Sequence, residues 1–200
     1  MAEIRSTLDM VMERAARLAA EAPEVSATET VREDGMRLAV SYLGGEVADL
    51  LQLLSQQPAA KQTELRCGMA TTLLRNIILP RDKTLSEHTL KSFQGLKELS
   101  GNAADIMSIC SELQQILEQY AQHQQQVKQQ FDESILNQLK MQLQQQGMRV
   151  DDKMALNPSM HPHYKEEWAR ISADLNSQYN QALEQRKQMI AQRFAVHSTK

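Results

Sequence analysis

With 200 residues, a formal net charge of −3 and a pI near 6.0, the chain lacks the concentrated basic surface that nucleic acid or an anionic membrane attracts. Only 4% of its residues are aromatic, with 5 prolines and 7 glycines, while Gln, Leu, Ala, Met, Glu and Lys fill much of the rest. Those residues lose little freedom on entering a helix, so helix is expected almost throughout and no sheet is expected.

The first segment sets Ile4, Leu8, Val11, Ala15 and Leu18 at spacings of four and three, one face of a helix that Pro23 stops. Its opening residues, Met-Ala-Glu-Ile-Arg, lack the uninterrupted apolar core of a secretory leader, and Asp9 and Glu13 do not suit a transit peptide. A second helix is predicted from Thr28 or Thr30, with Met36, Val40 and Leu43 on its apolar face and Gly44-Gly45 at its end. After Glu46 a short stripe of Val47, Leu50, Leu51 and Leu54 runs up to Pro58. Ala59 to Leu79 reads as the next helix, carrying Leu65, Met69, Leu73 and Ile77 and stopping before Pro80. Thr84-Leu85-Ser86-Glu87 has the form of a capping box that opens a helix to about Leu99, with Leu90, Phe93 and Leu96 or Lys97 on its face. Ser100-Gly101-Asn102 then reads as a connection.

The most extended pattern follows. Ile106, Cys110, Leu113, Leu117, Tyr120, Gln124, Val127 and Phe131 keep spacings of four and three, and after a phase slip the stripe resumes at Ile135, Leu139 and Leu143. A helix over 103–146 would be about 65 Å long. Its predicted partner covers 164–195, where Tyr164, Trp168, Ile171, Leu175, Gln178 or Tyr179, Ala182, Arg186, Ile190 and Phe194 repeat the period. The expected fold is all-α: an N-terminal helical bundle over 1–102 and a long antiparallel coiled-coil-like helical hairpin over 103–200, possible as one packed unit. Gln124 occupies a seam position, so the apolar stripe is thinnest there and either alignment or local opening is expected.

Sites of chemistry are sparse. Cys67 and Cys110 lack an accompanying base and read as packed thiols, and with no disulfide framework a cytoplasmic location is expected. No stretch approaches the roughly 20 apolar residues of a spanning helix, so no membrane partner is expected. The 147–163 loop is long for a helical hairpin and holds His161 and His163, with Asp151 and Asp152 upstream, as weak metal-ligand candidates. Residues two apart in extended chain diverge, and Pro162 suits a helix start, so initiation of the last helix is the simpler role. Tyr164 and Trp168 form either an aromatic patch or part of the seam. Arg186, Lys187, Arg193 and Lys200 give the last helix a positive bias that suits attraction to its acidic neighbour at least as well as nucleic acid.

Met-Ala-Glu-Ile-Arg-Ser-Thr-Leu at the start, Arg32 to Leu43, Leu73-Leu74-Arg75-Asn76-Ile77-Ile78-Leu79-Pro80 and the Gln-rich hairpin together resemble a family of uncharacterised bacterial all-helical proteins. The resemblance implies a bacterial cytoplasmic setting and a helical fold, with no activity, cofactor or site residue attached. The expected function is non-catalytic: a protein–protein interaction, scaffold or adaptor role, not an enzyme, with a protein partner and a homo-oligomer, most simply a dimer. The alternatives are a metal-binding or enzymatic protein using the 147–163 loop, and nucleic-acid binding through the C-terminal helix.

Overall fold

The computed structural model describes residues 27–81, 84–146 and 156–196, which form six α-helices, one short 3₁₀ turn and no strand. The chain is all-α, and the stripe from Ile4 to Leu18 lies outside the described residues.

Helix α1 (Ala27–Leu43) ends in a Schellman motif: the Gly45 N–H donates to the Tyr42 carbonyl at 3.1 Å and the Glu46 N–H to Ser41 at 3.0 Å. Gly45 stands at φ +83°, a conformation that costs glycine little. Of the apolar face expected for this helix Leu43 is buried and Met36 partly buried, but the structure corrects Val40, which is 60% exposed; the buried face is Gly35, Ala39, Tyr42 and Leu43. The reason is a backbone-to-backbone crossing with helix α3 (Ala59–Arg75). A Cβ at Gly35 would stand 2.2 Å from the Leu65 carbonyl oxygen, and one at Gly68 only 2.0 Å from that of Arg32. Absence of side chains makes this contact, so counting apolar residues misplaces it.

Between them lies α2 (Leu50–Ser55), where Asp49 Oδ1 accepts from the Leu51 and Gln52 N–H groups at 2.8 and 3.0 Å. Leu50 and Leu54 are buried there, while Leu51 is exposed. Helix α3 stops at Arg75, four residues before the predicted end. Asn76 closes it, its side-chain amide donating to the Thr72 carbonyl at 2.9 Å. Ile77 and Pro80 then turn into the core as non-helical chain. Helix α4 (Glu87–Leu99) is capped by Ser86, whose Oγ accepts from the Thr89 N–H at 3.2 Å, so the capping residue is not Thr84. The Thr89 hydroxyl donates to the Asn76 carbonyl at 3.3 Å, tying the start of α4 to the end of α3. Leu90, expected inside, is about half exposed, and the buried face runs through Phe93, Leu96 and Leu99. A second Schellman motif ends α4, from Gly101 to Glu98 and from Asn102 to Lys97.

Two long helices complete the chain. Helix α5 (Ala104–Gln145) has 42 residues and is about 63 Å long, and α6 (Tyr164–Val196) runs back along it. Before α6, Asn157 caps the 3₁₀ turn Pro158–Met160. One hydrophobic core passes through α1 to α4 and continues into Ile106, Cys110, Leu113 and Leu117 of α5 and Leu183, Ile190 and Phe194 of α6. The short helices therefore pack on the base of the long pair, and its distal half extends past them.

Candidate interaction surface on the distal hairpin

A series of cross-helix contacts sets the register of α5 and α6, starting from the base. Asp105 pairs with Arg193. Glu112 pairs with Arg186 at 2.6 Å. The Arg193 guanidinium, by hydrogen bonding, holds the Asp105 carboxyl below its usual range. These contacts use two of the basic side chains that bias the last helix. Lys187 pairs with Glu184 on its own helix, and Lys200 lies outside the described residues.

Further out, the seam becomes polar. The Tyr120 hydroxyl donates to Asn176 Oδ1 at 2.6 Å and accepts from the Gln124 amide at 2.9 Å. His123 Nδ1 lies 3.2 Å from the Tyr179 hydroxyl, and the rings of Tyr120 and Tyr179 meet edge to face at 5.3 Å. Gln124 thus belongs to a hydrogen-bonded ladder, so the polar seam has partners and defines which residues stand opposite. Burial pushes the Tyr120 hydroxyl above its ordinary pKa, which keeps it a neutral donor.

Two turns beyond, Phe131 stacks on Trp168 at 5.8 Å and lies beside Tyr164 at 5.2 Å. Lys128 Nζ stands 4.9 Å from the Tyr164 ring centroid and 5.1 Å from that of Trp168, within cation–π range. It forms an ion pair with Asp132 at 2.6 Å, and the Tyr164 hydroxyl donates to the same carboxylate at 2.6 Å and also meets Lys128. Burial pushes the Asp132 carboxyl up, but the hydrogen bonds from Lys128 and Tyr164 outweigh it and hold the group below the usual carboxylate range. Burial likewise disfavours the Lys128 ammonium, and the same two partners reverse the effect. Tyr164 and Trp168 are therefore seam residues that also clamp a lysine. The i, i+4 spacing of Lys128 and Asp132 is legible in the sequence, whereas their tie to Tyr164 is not, because it joins residues 32 positions apart.

Beside this cluster an open cleft of about 600 Å³ lies where the 76–86 connection approaches the hairpin, with Arg81 and Thr84 facing Gln124, Lys128 and Trp168. Past it Ile135 is still buried, whereas Leu136, Leu139 and Leu143 are only partly buried and Met141 is exposed.

The residues singled out for metal chemistry are not assembled into a ligand set by the described chain. His161 and His163 rings are 6.2 Å apart, His161 Nδ1 is buried without a hydrogen-bond partner, and His163 faces Glu166 at 3.6 Å. Asp151 and Asp152 lie outside the described residues, and among those described no group of three or more His, Cys, Asp or Glu is placed to hold an ion. No disulfide joins Cys67 and Cys110. The buried Cys67 thiol donates to the Phe194 carbonyl at 3.3 Å. Burial raises the Cys110 thiol to about 11, against a weaker opposing effect of Lys97, so it stays protonated and poorly nucleophilic near neutral pH. Among the described residues no helix is long and apolar enough to cross a membrane.

No curated protein and no solved structure is significantly similar to the chain. The matched segment, residues 51–192, takes in α2 but for its first residue, α3 to α5, and all but the last turn of α6, and on that match the chain belongs to a family of unknown function, DUF6657.

Proposed function

We propose that this protein is a non-catalytic interaction protein, a scaffold or adaptor of the bacterial cytoplasm, that works by presenting the distal half of its coiled-coil-like hairpin to a protein partner. One observation carries the reading. At the base, Leu113, Leu117, Leu183 and Ile190 are at most 1% exposed, whereas on α5 beyond the start of α6, where Ile135 is still buried, Leu136, Leu139 and Leu143 are only partly buried. Half-covered apolar residues on a projecting helix are the usual means by which helical faces bind proteins. The cross-helix contacts from Glu112 to Asp132 fix the stretch of α5 from which that face continues, which lowers the entropic cost of binding.

The test is capture from cells of the native host, with the intact chain and a Leu139→Glu/Leu143→Glu variant as baits, both checked for helix content by circular dichroism. Proteins retained by the intact chain and lost by the variant support the reading. Identical sets on two folded baits overturn it.

A further inference from the structure

We infer that the base of the molecule carries a second site, a cavity that takes the phosphate group of a small ligand on the Arg66 guanidinium. This site is separate from the distal face and does not depend on it.

The cavity lies where α3, the connection from α4 to α5 and the end of α6 meet, and its volume is about 320 Å³. Small-molecule sites usually span about 300–1,000 Å³. Arg66 lines it from α3, and Arg193 and Phe194 line it from α6. The residue after Arg66, Cys67, donates its thiol to the Phe194 carbonyl at 3.3 Å, which ties the two helices together beside the cavity. Leu99, Ile106 and Phe194, all buried, form its apolar wall.

Charge decides the sign of the ligand. Among the described lining residues Asp105 is the one carboxylate, and it is already paired with Arg193. Arg66 has no such partner among the described residues, and its Nε is buried without a hydrogen bond. Glu98, just before the lining begins, accepts instead from the Gln94 amide at 2.9 Å. A desolvated cation without a counter-charge is costly, so a buried donor of this kind points to a partner from outside the chain. The start of α5 adds to the positive potential, because its N-cap, Ala103, also lines the cavity and offers no side-chain acceptor to the first-turn N–H groups. A guanidinium presents its donors as a planar fork that meets two phosphate oxygens at once. The cavity thus carries an excess positive charge, which excludes a cation, and an apolar wall that suits the carbon part of a phosphate ester.

Isothermal titration of the intact chain tests the proposal with two probes, inorganic phosphate and glycerol phosphate, against sodium chloride at matched ionic strength. One site per chain is expected, filled by phosphate and not by chloride. Tighter binding of the ester assigns the site to a phosphorylated organic molecule, and tighter binding of the free ion assigns it to inorganic phosphate. Arg66→Gln, checked for helix content by circular dichroism, weakens binding at least about tenfold, and Arg66→Lys, which keeps the charge but not the fork, weakens it less. Asp105→Asn releases Arg193 from its ion pair and tightens binding, a change that a purely structural role for Arg66 would not produce. Absence of saturable binding of either probe overturns the proposal, as does a folded Arg66→Gln chain that binds like the parent. If Arg66→Gln does not fold, an Asp105→Asn chain that binds no more tightly than the parent overturns it.

Discussion

The base and the distal half of the hairpin share two helices and one heptad-like period, yet they are different structures. At the base, Leu113 and Leu183 are sealed by side chains arriving from α3 and α4, and the cross-helix contacts at the rim, Asp105 with Arg193 and Glu112 with Arg186, are ion pairs at the solvent edge. Farther out the short helices are gone, and order is kept by directional contacts: the Tyr120–Asn176 hydrogen bond, the Phe131–Trp168 stack and the Lys128–Asp132–Tyr164 cluster. Buried Phe131, Ile135 and Leu175 still pack there, and the hydrogen bonds and rings add the directional contacts that determine the register. The same sequence period thus makes a sealed core in one place and a partly exposed face in another.

Several substitutions would break or sharpen that contrast. The largest effect is expected at the base, where Leu113→Ala or Ile190→Ala removes a fully buried side chain and costs about 2–5 kcal/mol in urea unfolding. Leu139→Ala, measured in protein dilute enough to be monomeric, should cost less than about 1 kcal/mol; equal costs at the two positions would show that the halves are packed alike. Next comes the α1–α3 crossing: Gly68→Ala forces a methyl into the Arg32 carbonyl and should cost about 1–3 kcal/mol or more, whereas Gly44→Ala, with its nearest neighbour at 3.4 Å, should cost little. Tyr120→Phe keeps the ring and deletes one cross-helix hydrogen bond, for about 0.5–1.5 kcal/mol, and should raise amide exchange in the distal half more than at the base.

Acid should act on both halves in the same direction. The lowered Asp105 and Asp132 carboxyls bind fewer protons in the folded chain than unfolded, so their contribution is fully present above the ordinary carboxylate pKa and is lost as pH falls through their lower folded values. Asp132→Asn should flatten the pH dependence of protection around Tyr164, and an unchanged profile would show that the cluster is not the acid-sensitive part. The smallest effect belongs to Arg186→Ala at the solvent edge, about 0–1 kcal/mol, and less in high salt.

How much of this was legible varies with the kind of contact. The all-helical class follows from composition, and the reach of α5 from the absence of Pro and Gly between Ala103 and Gln146. The terminators Gly45 and Gly101 are equally visible, since only a residue at ease with positive φ closes a Schellman motif cheaply. Two helix ends were misplaced for local reasons with distant causes: Ile77 leaves the helix to enter the core, and Ser86 caps α4 where Thr89 reaches Asn76. On α1 the sequence pattern picks out Leu43 but not Gly35, because glycines make contact by having no side chain. In the candidate surface, Tyr164 and Trp168 were visible as aromatic seam positions, while Lys128 and Asp132 were an ordinary surface spacing until the second helix supplied Tyr164.

By itself, then, the sequence determined where the chain turns helical, where glycine stops it and which residues repeat at helical spacing, because those properties arise from hydrogen bonds and torsions within a few residues. Tertiary structure decided which side of that period is covered, that Gly35 and Gly68 bring two backbones together, and that Leu113 is sealed while Leu139 is left half open. Burial depends on what arrives from far along the chain, and the short helices reach only as far as the base of the hairpin.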